Sequence, residues 1–228
     1  MQNDKKSLLG ARLLRVAEFI RYGAVLCDVG TDHAKLPIYL AYAGRIERAY
    51  ATDINRGPID SANKNISDFG LSDKIKCILT DGLEGTDGLG VTDISICGMG
   101  GELIAGILER CAYIKDERLN LILQPMTHPQ DLRRYLYDNG FEIYDEDLTE
   151  ESGKLYVIIC AKYTGKITEY SEGELYLGKI LLKKERNKHF FDMCGRVLSH
   201  LENRQRSSDE DERAQAQKLY CEIKEMLL

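Results

Sequence analysis

Tryptophan is absent from the 228 residues, and proline occurs only four times. No segment is of low complexity, so no composition-biased linker or tail is expected. No run of 18 or more apolar residues exists, which excludes a membrane-spanning helix. The opening residues, Met1-Gln2-Asn3-Asp4-Lys5-Lys6, lack the apolar core and cleavage site of a secretory signal, so a cytoplasmic protein is expected. The seven cysteines are odd in number and none falls at C-x-x-C spacing. Cys27, Cys77, Cys97 and Cys160 sit in apolar, strand-like runs and read as small core residues, so neither disulfides nor a cysteine zinc site is expected. The four histidines show no metal-ligand spacing either, and no metal is expected.

What is present suffices for a real core under a solvated surface: 43% of residues are hydrophobic and 30% charged. The length fits one sizeable domain, or one domain with an appendage. Net charge is −6, from 31 Lys+Arg against 37 Asp+Glu, which taken alone disfavours nucleic acid. The distribution is uneven, however. Residues 1–21 carry Lys5, Lys6, Arg12, Arg15 and Arg21 against Asp4 and Glu18. Residues 174–206 carry eight cations, among them Lys183, Lys184, Lys188 and Arg196, against four acids. Both ends are locally basic, and for any single charge a solvated helix face is the simpler explanation.

The chain is organised around Ala24-Val25-Leu26-Cys27-Asp28-Val29-Gly30-Thr31-Asp32-His33-Ala34-Lys35-Leu36-Pro37. A short apolar run ends in an acid, a glycine and a turn, and a helical pattern then begins, the order by which open α/β sheets offer backbone N–H groups to a cofactor. Asp28 closes the strand. Gly30, without a Cβ, lets the backbone pass close to a ligand. The loop departs from G-x-G-x-x-G, because Asp32 and Ala34 stand where glycines are expected. A carboxylate there repels a pyrophosphate and favours a cationic cofactor without phosphate, for which S-adenosylmethionine fits. The simpler alternative is a strand-to-helix turn with Asp32 as N-cap.

Before this stretch, residues 7–21 have helical apolar spacing, with Arg12 and Arg15 on the other face. After it come a helix at 36–43 and a strand at 49–53. Asp53 lies 25 positions after Asp28, about where a βαβ unit places the carboxylate that binds ribose hydroxyls; a helix N-cap is the alternative. A third strand, 75–79, runs into Thr80-Asp81-Gly82. Asp81 can accept from an adenine amine, or the pair can be an Asp-Gly turn. A loop at 85–90 leads to a strand at 93–97 and to Gly98-Met99-Gly100-Gly101, where something approaches the backbone closely. A strand at 119–123, a helix at 131–139 and two strands at 141–148 and 155–161 follow. The count is five alternating β/α units and a closing hairpin. A seven-stranded, mostly parallel α/β sheet with an antiparallel strand near its end is expected, the Rossmann-like class I methyltransferase order, rather than the six parallel strands of a dehydrogenase.

Beyond Gly165 two amphipathic stripes are separated by Arg206-Ser207-Ser208-Asp209-Glu210-Asp211, with Ser208 the expected N-cap. They read as an antiparallel, coiled-coil-like helical hairpin. Its narrow apolar stripe and heavy charge favour a protruding arm over a pair packed flat on the sheet. Two units are expected: a cofactor-binding domain at 1–165 and a helical arm at 166–228.

In order along the chain stand Asp28-x-Gly30-x-Asp32-His33-Ala34-x-Leu36-Pro37, Ala51-Thr52-Asp53-Ile54, Asp81-Gly82-Leu83, Ile96-Cys97-Gly98-Met99-Gly100-Gly101, Leu123-Gln124-Pro125 and Glu151-x-Gly153-Lys154-Leu155-Tyr156. The ordered set resembles the bacterial tRNA (adenine-22) N1-methyltransferases over nearly the whole chain, the C-terminal helices included. The resemblance implies S-adenosylmethionine as methyl donor and adenine 22 of tRNA as acceptor. It maps the donor site onto Gly30, His33, Asp53 and Asp81 with the Gly98 turn, and the matched motifs add Asp28, Ile54, Gly82, Cys97 and Met99. Two positions depart from the family's pattern: Met126 replaces an asparagine that often follows Gln-Pro, and Gly178-Lys179 replaces a glycine-proline.

Adenine N1 owns a lone pair, and its methylation makes the ring cationic. A carboxylate accepting from the N6–H group therefore helps. With no carboxylate in Cys97-Gly98-Met99-Gly100, Asp32 is the candidate and His33 the reserve. Arg12, Arg15, Lys183 and Lys184 are the candidates for tRNA phosphate contacts. No obligate protein partner is evident. A methyltransferase for another RNA position or a small molecule, a nicotinamide dehydrogenase and a non-catalytic RNA-binding module remain as alternatives.

Overall fold

The computed structural model describes residues 9–228, so Lys5, Lys6 and the expected helix start at Ser7 lie outside the described residues. Ahead of the sheet stands α1 (Ala11–Phe19). β1 (Ala24–Val29), buried along its whole length, takes the centre of the sheet, as its apolar run Ala24-Val25-Leu26-Cys27 favours. It leads into α2 (Lys35–Tyr42), β2 (Ile46–Asp53), α3 (Arg56–Asp68) and β3 (Ile75–Leu79). The third unit of the alternation has no helix, in keeping with the loop expected at 85–90. Residues 80–92 cross from β3 to β4 (Asp93–Gly100) as turns, with no helix. Four glycines in that stretch, Gly82, Gly85, Gly88 and Gly90, together with Asp81 and Asp87, favour turns over a helix. The chain continues through α4 (Gly101–Glu109), β5 (Asn120–Thr127), α5 (Pro129–Asp138), β6 (Phe141–Glu151) and β7 (Lys154–Tyr163).

The sheet has seven strands in the order β3-β2-β1-β4-β5-β7-β6, with β7 antiparallel to both of its neighbours and the rest parallel. Alternation along each strand divides the core into two layers. Leu26, Ile122 and Cys160 face α1, α2 and α3; Cys27, Leu121 and Ile159 face α4 and α5. The hairpin between β6 and β7 turns on Ser152 and Gly153, both at positive φ, which matches the strand twist. Strand order reverses between β1 and β4, the place where open α/β sheets leave a crevice.

After β7 come α6 (Glu172–Leu177), one 3-10 turn (Leu181–Lys183), α7 (Lys188–Arg204) and α8 (Glu210–Leu227). Leu175 of α6 belongs to the second core layer, and Arg134 pairs with Glu172. α7 and α8 form the expected helical hairpin around a third core that includes Phe190, Met193, Cys194, Leu201, Leu219 and Ile223. Leu148, Leu155 and Val157 of the outer strands also join this core, so the root of the hairpin packs on the sheet edge. The N-cap of α8 is Asp209 rather than Ser208; its carboxylate accepts from Asp211 N and Glu212 N and suits the positive end of the helix better than a hydroxyl.

Candidate functional site

At the switch point a cavity of about 290 Å³ opens at the carboxyl ends of β1 and β4. Its floor is Asp28. Burial pushes this carboxyl up to about 6, and hydrogen bonds received from Ser95 Oγ (2.6 Å) and Thr31 Oγ1 (2.7 Å) hold it lower than burial alone would. Gly30 follows at φ 68°, with Gly30 N and Thr31 N both donating to Thr52 O at 2.8 and 3.0 Å. A Cβ on Gly30 would stand 2.2 Å from Met99 Cε, so the side chain from the next strand end lies directly against this glycine.

The loop then takes an unusual path. Asp32 and Ala34 are both left-handed, at φ 53° and 54°, a conformation that costs non-glycine residues about 1–3 kcal/mol each. Asp32 is therefore not the helix N-cap; Ala34 holds that position and offers no side-chain cap. The backbone instead directs Asp32 outward, its carboxylate mostly exposed and 3.4 Å from His33 Nε2. Asn65 Nδ2 anchors the turn by donating to His33 O at 3.1 Å.

The cavity brings together Asp28, Gly30, Asp32, His33, Cys97 and Gly98. It leaves apart four other residues expected at the site. Asp53 ends β2 and Ile54 follows it, and Asp53 Oδ1 accepts from Asn55 N at 2.8 Å, ahead of α3. Asp81 lines a second cavity of about 220 Å³, where Arg110 Nη2 lies 3.3 Å from it, and Gly82 packs against Ile107. Cys97 is a neutral thiol, pushed up first by burial and then by the Asp28 charge.

The expected RNA-facing cations are placed differently from one another. Arg12 lines the same cavity, donates to the buried Gln124 Oε1 at 2.6 Å and lies 5.6 Å from the centroid of the Tyr156 ring. Arg15 pairs with Asp147 and Glu18. Lys184 Nζ pairs with Asp145 at 2.5 Å and also donates to Glu146 O, while Lys183 is exposed. Sequence reasoning missed Arg12 as a cavity residue, along with Lys35 and the hydroxyls that hold Asp28. Only the proximity of Thr31 and Lys35 to the motif could have signalled them. Glu102, His128 and Asp131 also converge, their ligand atoms within 4.8 Å of one another on two exposed helix starts, a grouping with no spacing signature in the sequence.

The donor set suits a zwitterionic, cationic ligand. Asp28 and Asp32 supply negative charge, Arg12 and Lys35 positive charge, and Leu13, Val29 and Leu36 apolar wall. No cradle of successive glycines exists here for a pyrophosphate.

Comparison with known proteins agrees with this chemistry. A family model described as a methyltransferase domain matches residues 9–159. The chain is 36% identical over 198 residues to the tRNA (adenine(22)-N(1))-methyltransferase of Bacillus subtilis (strain 168), covering 86% of this chain and 83% of that protein. The crystal structure of Streptococcus pneumoniae Sp1610 in complex with S-adenosyl-L-methionine superposes with a TM-score of 0.84 at 37% identity, over 95% of this chain and 98% of that one. M. capricolum TrmK in complex with S-adenosyl-homocysteine gives 0.81 at 27% identity, over 95% and 98%.

Proposed function

The chain belongs to the tRNA (adenine(22)-N(1))-methyltransferase family, and on that premise we propose that it transfers a methyl group from S-adenosylmethionine to N1 of adenine 22 in tRNA. The observation that carries this reading is the cavity at the switch point, where two carboxylates and two cations stand in place of a phosphate cradle. When bound, S-adenosylmethionine supplies an electrophilic methyl group on its sulfonium.

The chain's own residues divide the remaining work. Asp28, Gly30, His33, Cys97, Gly98 and Met99 form the donor-binding loops, with Asp53, Ile54, Asp81 and Gly82 extending the site along the strand ends. Arg12 faces the same cavity, and its guanidinium suits the donor's carboxylate. Asp32, exposed at the cavity mouth and held in place by backbone geometry, accepts from the adenine N6–H group and stabilises the positive charge that grows on the ring. Positioning of N1 in line with the methyl group supplies much of the remaining rate. The base must leave its stack to reach the cavity, at a cost of a few kcal/mol, which phosphate contacts elsewhere offset. Catalysis belongs to the sheet domain and tRNA capture to the helical arm. No helix among the described residues is long and apolar enough to cross a membrane. The tRNA substrate of this reading points to the cytoplasm as the compartment.

The deciding experiment is methyl transfer from labelled S-adenosylmethionine to two tRNA transcripts that differ only in adenine or guanine at position 22. Label on the adenine transcript alone is expected. Equal label on both overturns the position, and no label on either overturns the reaction. Asp32→Ala is expected to lose methylation while retaining donor binding; normal activity removes Asp32 from its role.

A further inference from the structure

The outward side of α7 is an open face formed by Lys188, Phe191, Arg196, His200 and Asn203 among others. The opposite side of the helix holds Phe190, Met193, Cys194 and Leu201, all buried, so the packing of the hairpin does not use the outer stripe. Three features of that stripe have no structural purpose.

Phe191 is 55% exposed, yet it is held edge-on against Phe190, with ring centroids 5.9 Å apart. An apolar ring is thus kept in water in a defined orientation. Lys188 and Arg196 have no acidic partner among the described residues, whereas Lys184, Arg15 and Arg204 are all paired. Eight residues of helix separate these two cations by about 12 Å, far enough to meet different phosphates. Gly195 stands between them in the helix interior, where glycine costs roughly 1 kcal/mol relative to alanine. A Cβ there would meet nothing within 4 Å, so no packing within the chain requires the glycine.

Charge selects the occupant. α7 carries three cations against two acids, and α8 carries three against five. On this face Asp192 is the one acid. A fixed aromatic flanked by free cations, with a bare stretch of backbone for close approach, is the chemistry that engages RNA by stacking and phosphate contact.

We propose that this face of α7 is the docking surface for tRNA, with Lys188 and Arg196 on separate phosphates, Phe191 stacked on an unpaired base and Gly195 admitting the ribose-phosphate chain. The proposal rests on the tRNA reading above and names the surface that reading leaves open.

The test uses the full chain, with binding of a tRNA transcript measured directly alongside methylation. Lys188→Gln/Arg196→Gln is expected to weaken tRNA binding roughly 10-fold and to lower the slope of log K against log salt by about 2. Phe191→Ala is expected to weaken binding about 5-fold or more. In both, the KM for tRNA rises with kcat near the parent value, and S-adenosylmethionine affinity by calorimetry is unchanged. Gly195→Ala separates docking from stability, because it should raise the melting temperature while weakening tRNA binding. Parent-like tRNA affinity and salt slope in these variants overturn the proposal, as does a parent chain that binds no tRNA. A loss of binding that accompanies a dimer-to-monomer shift also overturns it, because the face then holds a second copy. Binding that depends on α7 without methylation at adenine 22 supports the docking surface and sinks the reaction instead.

Discussion

Arg133 and Glu146 form an ion pair with no solvent exposure on either side chain, Nε lying 2.6 Å from Oε1. Arg133 Nη1 donates to Leu175 O at 2.6 Å, and Glu146 Oε2 accepts from Ile180 N at 3.1 Å. Two residues of the sheet domain thereby hold the backbone on both sides of the bend that leads from α6 to the hairpin. Arg133 Nη2 has no partner, which removes one of the hydrogen bonds that would compensate its burial.

Arg133→Met leaves Glu146 buried without a counter-charge. The expected cost is about 3–5 kcal/mol in urea unfolding, whereas an apolar replacement of both residues is expected to recover most of it. A full double-mutant cycle checks the coupling. Additive costs would show that the two charges do not depend on each other.

Gly178→Ala probes the same bend. Gly178 has φ 86°, and a Cβ would stand 2.7 Å from Glu146 Oε2 and 2.9 Å from Arg133 Nη2. Backbone strain of about 1–3 kcal/mol is expected, with disturbance of the pair added to it. Differential scanning calorimetry should show a clear fall in Tm, and an unchanged Tm would mean that the bend relaxes freely.

Asp28 sets a pH dependence. Its carboxyl ionises near 3.8 when unfolded and near 6 when folded, so between those values the folded chain binds more protons. Stability from this group is therefore greatest below about pH 4 and declines as pH rises to about 6, by on the order of 3 kcal/mol. Asp28→Asn should remove that slope from urea unfolding measured across pH 4 to 7. Affinity for the cationic donor should change in the opposite sense, rising through pH 6 as the carboxylate ionises, and calorimetry at several pH values reads it.

Arg12→Ala is expected to weaken S-adenosylmethionine binding roughly 10-fold, the loss of one charge-assisted hydrogen bond. Calorimetry distinguishes this from a change in the KM for tRNA alone, which would place Arg12 on the acceptor side.

The succession of strands and the acids at or just past the ends of β1, β2 and β3 were legible because apolar runs punctuated by Asp and Gly are local signals. The loop between β3 and β4 was legible in the glycines of 85–90, which favour turns over a helix. The choice of Asp209 over Ser208 as N-cap turns on a one-residue register that composition does not resolve. Arg12 was harder to read. Its partner Gln124 is 112 residues away, and only tertiary packing turns a charge on an amphipathic helix into cavity wall. The Arg110 contact with Asp81 and the hold of Ser95 on Asp28 are likewise products of neighbouring elements meeting across the sheet.

β6 is the longest strand and the outermost on its side. An open edge of that length is a template for pairing with another chain. Glu142, Asp145, Asp147, Glu150 and Glu151 make it strongly acidic, and its register shifts between Ile143 and Asp145. Leu148 interrupts this acidic edge with an apolar contact, and the root of the helical hairpin covers it. A chain cut off before Lys188 would lose Phe190, Met193, Cys194, Leu201, Leu219 and Ile223 from this cluster and leave Leu177 and Leu181 to cover Leu148, Leu155 and Val157 beside an unpaired strand, a surface prone to self-association.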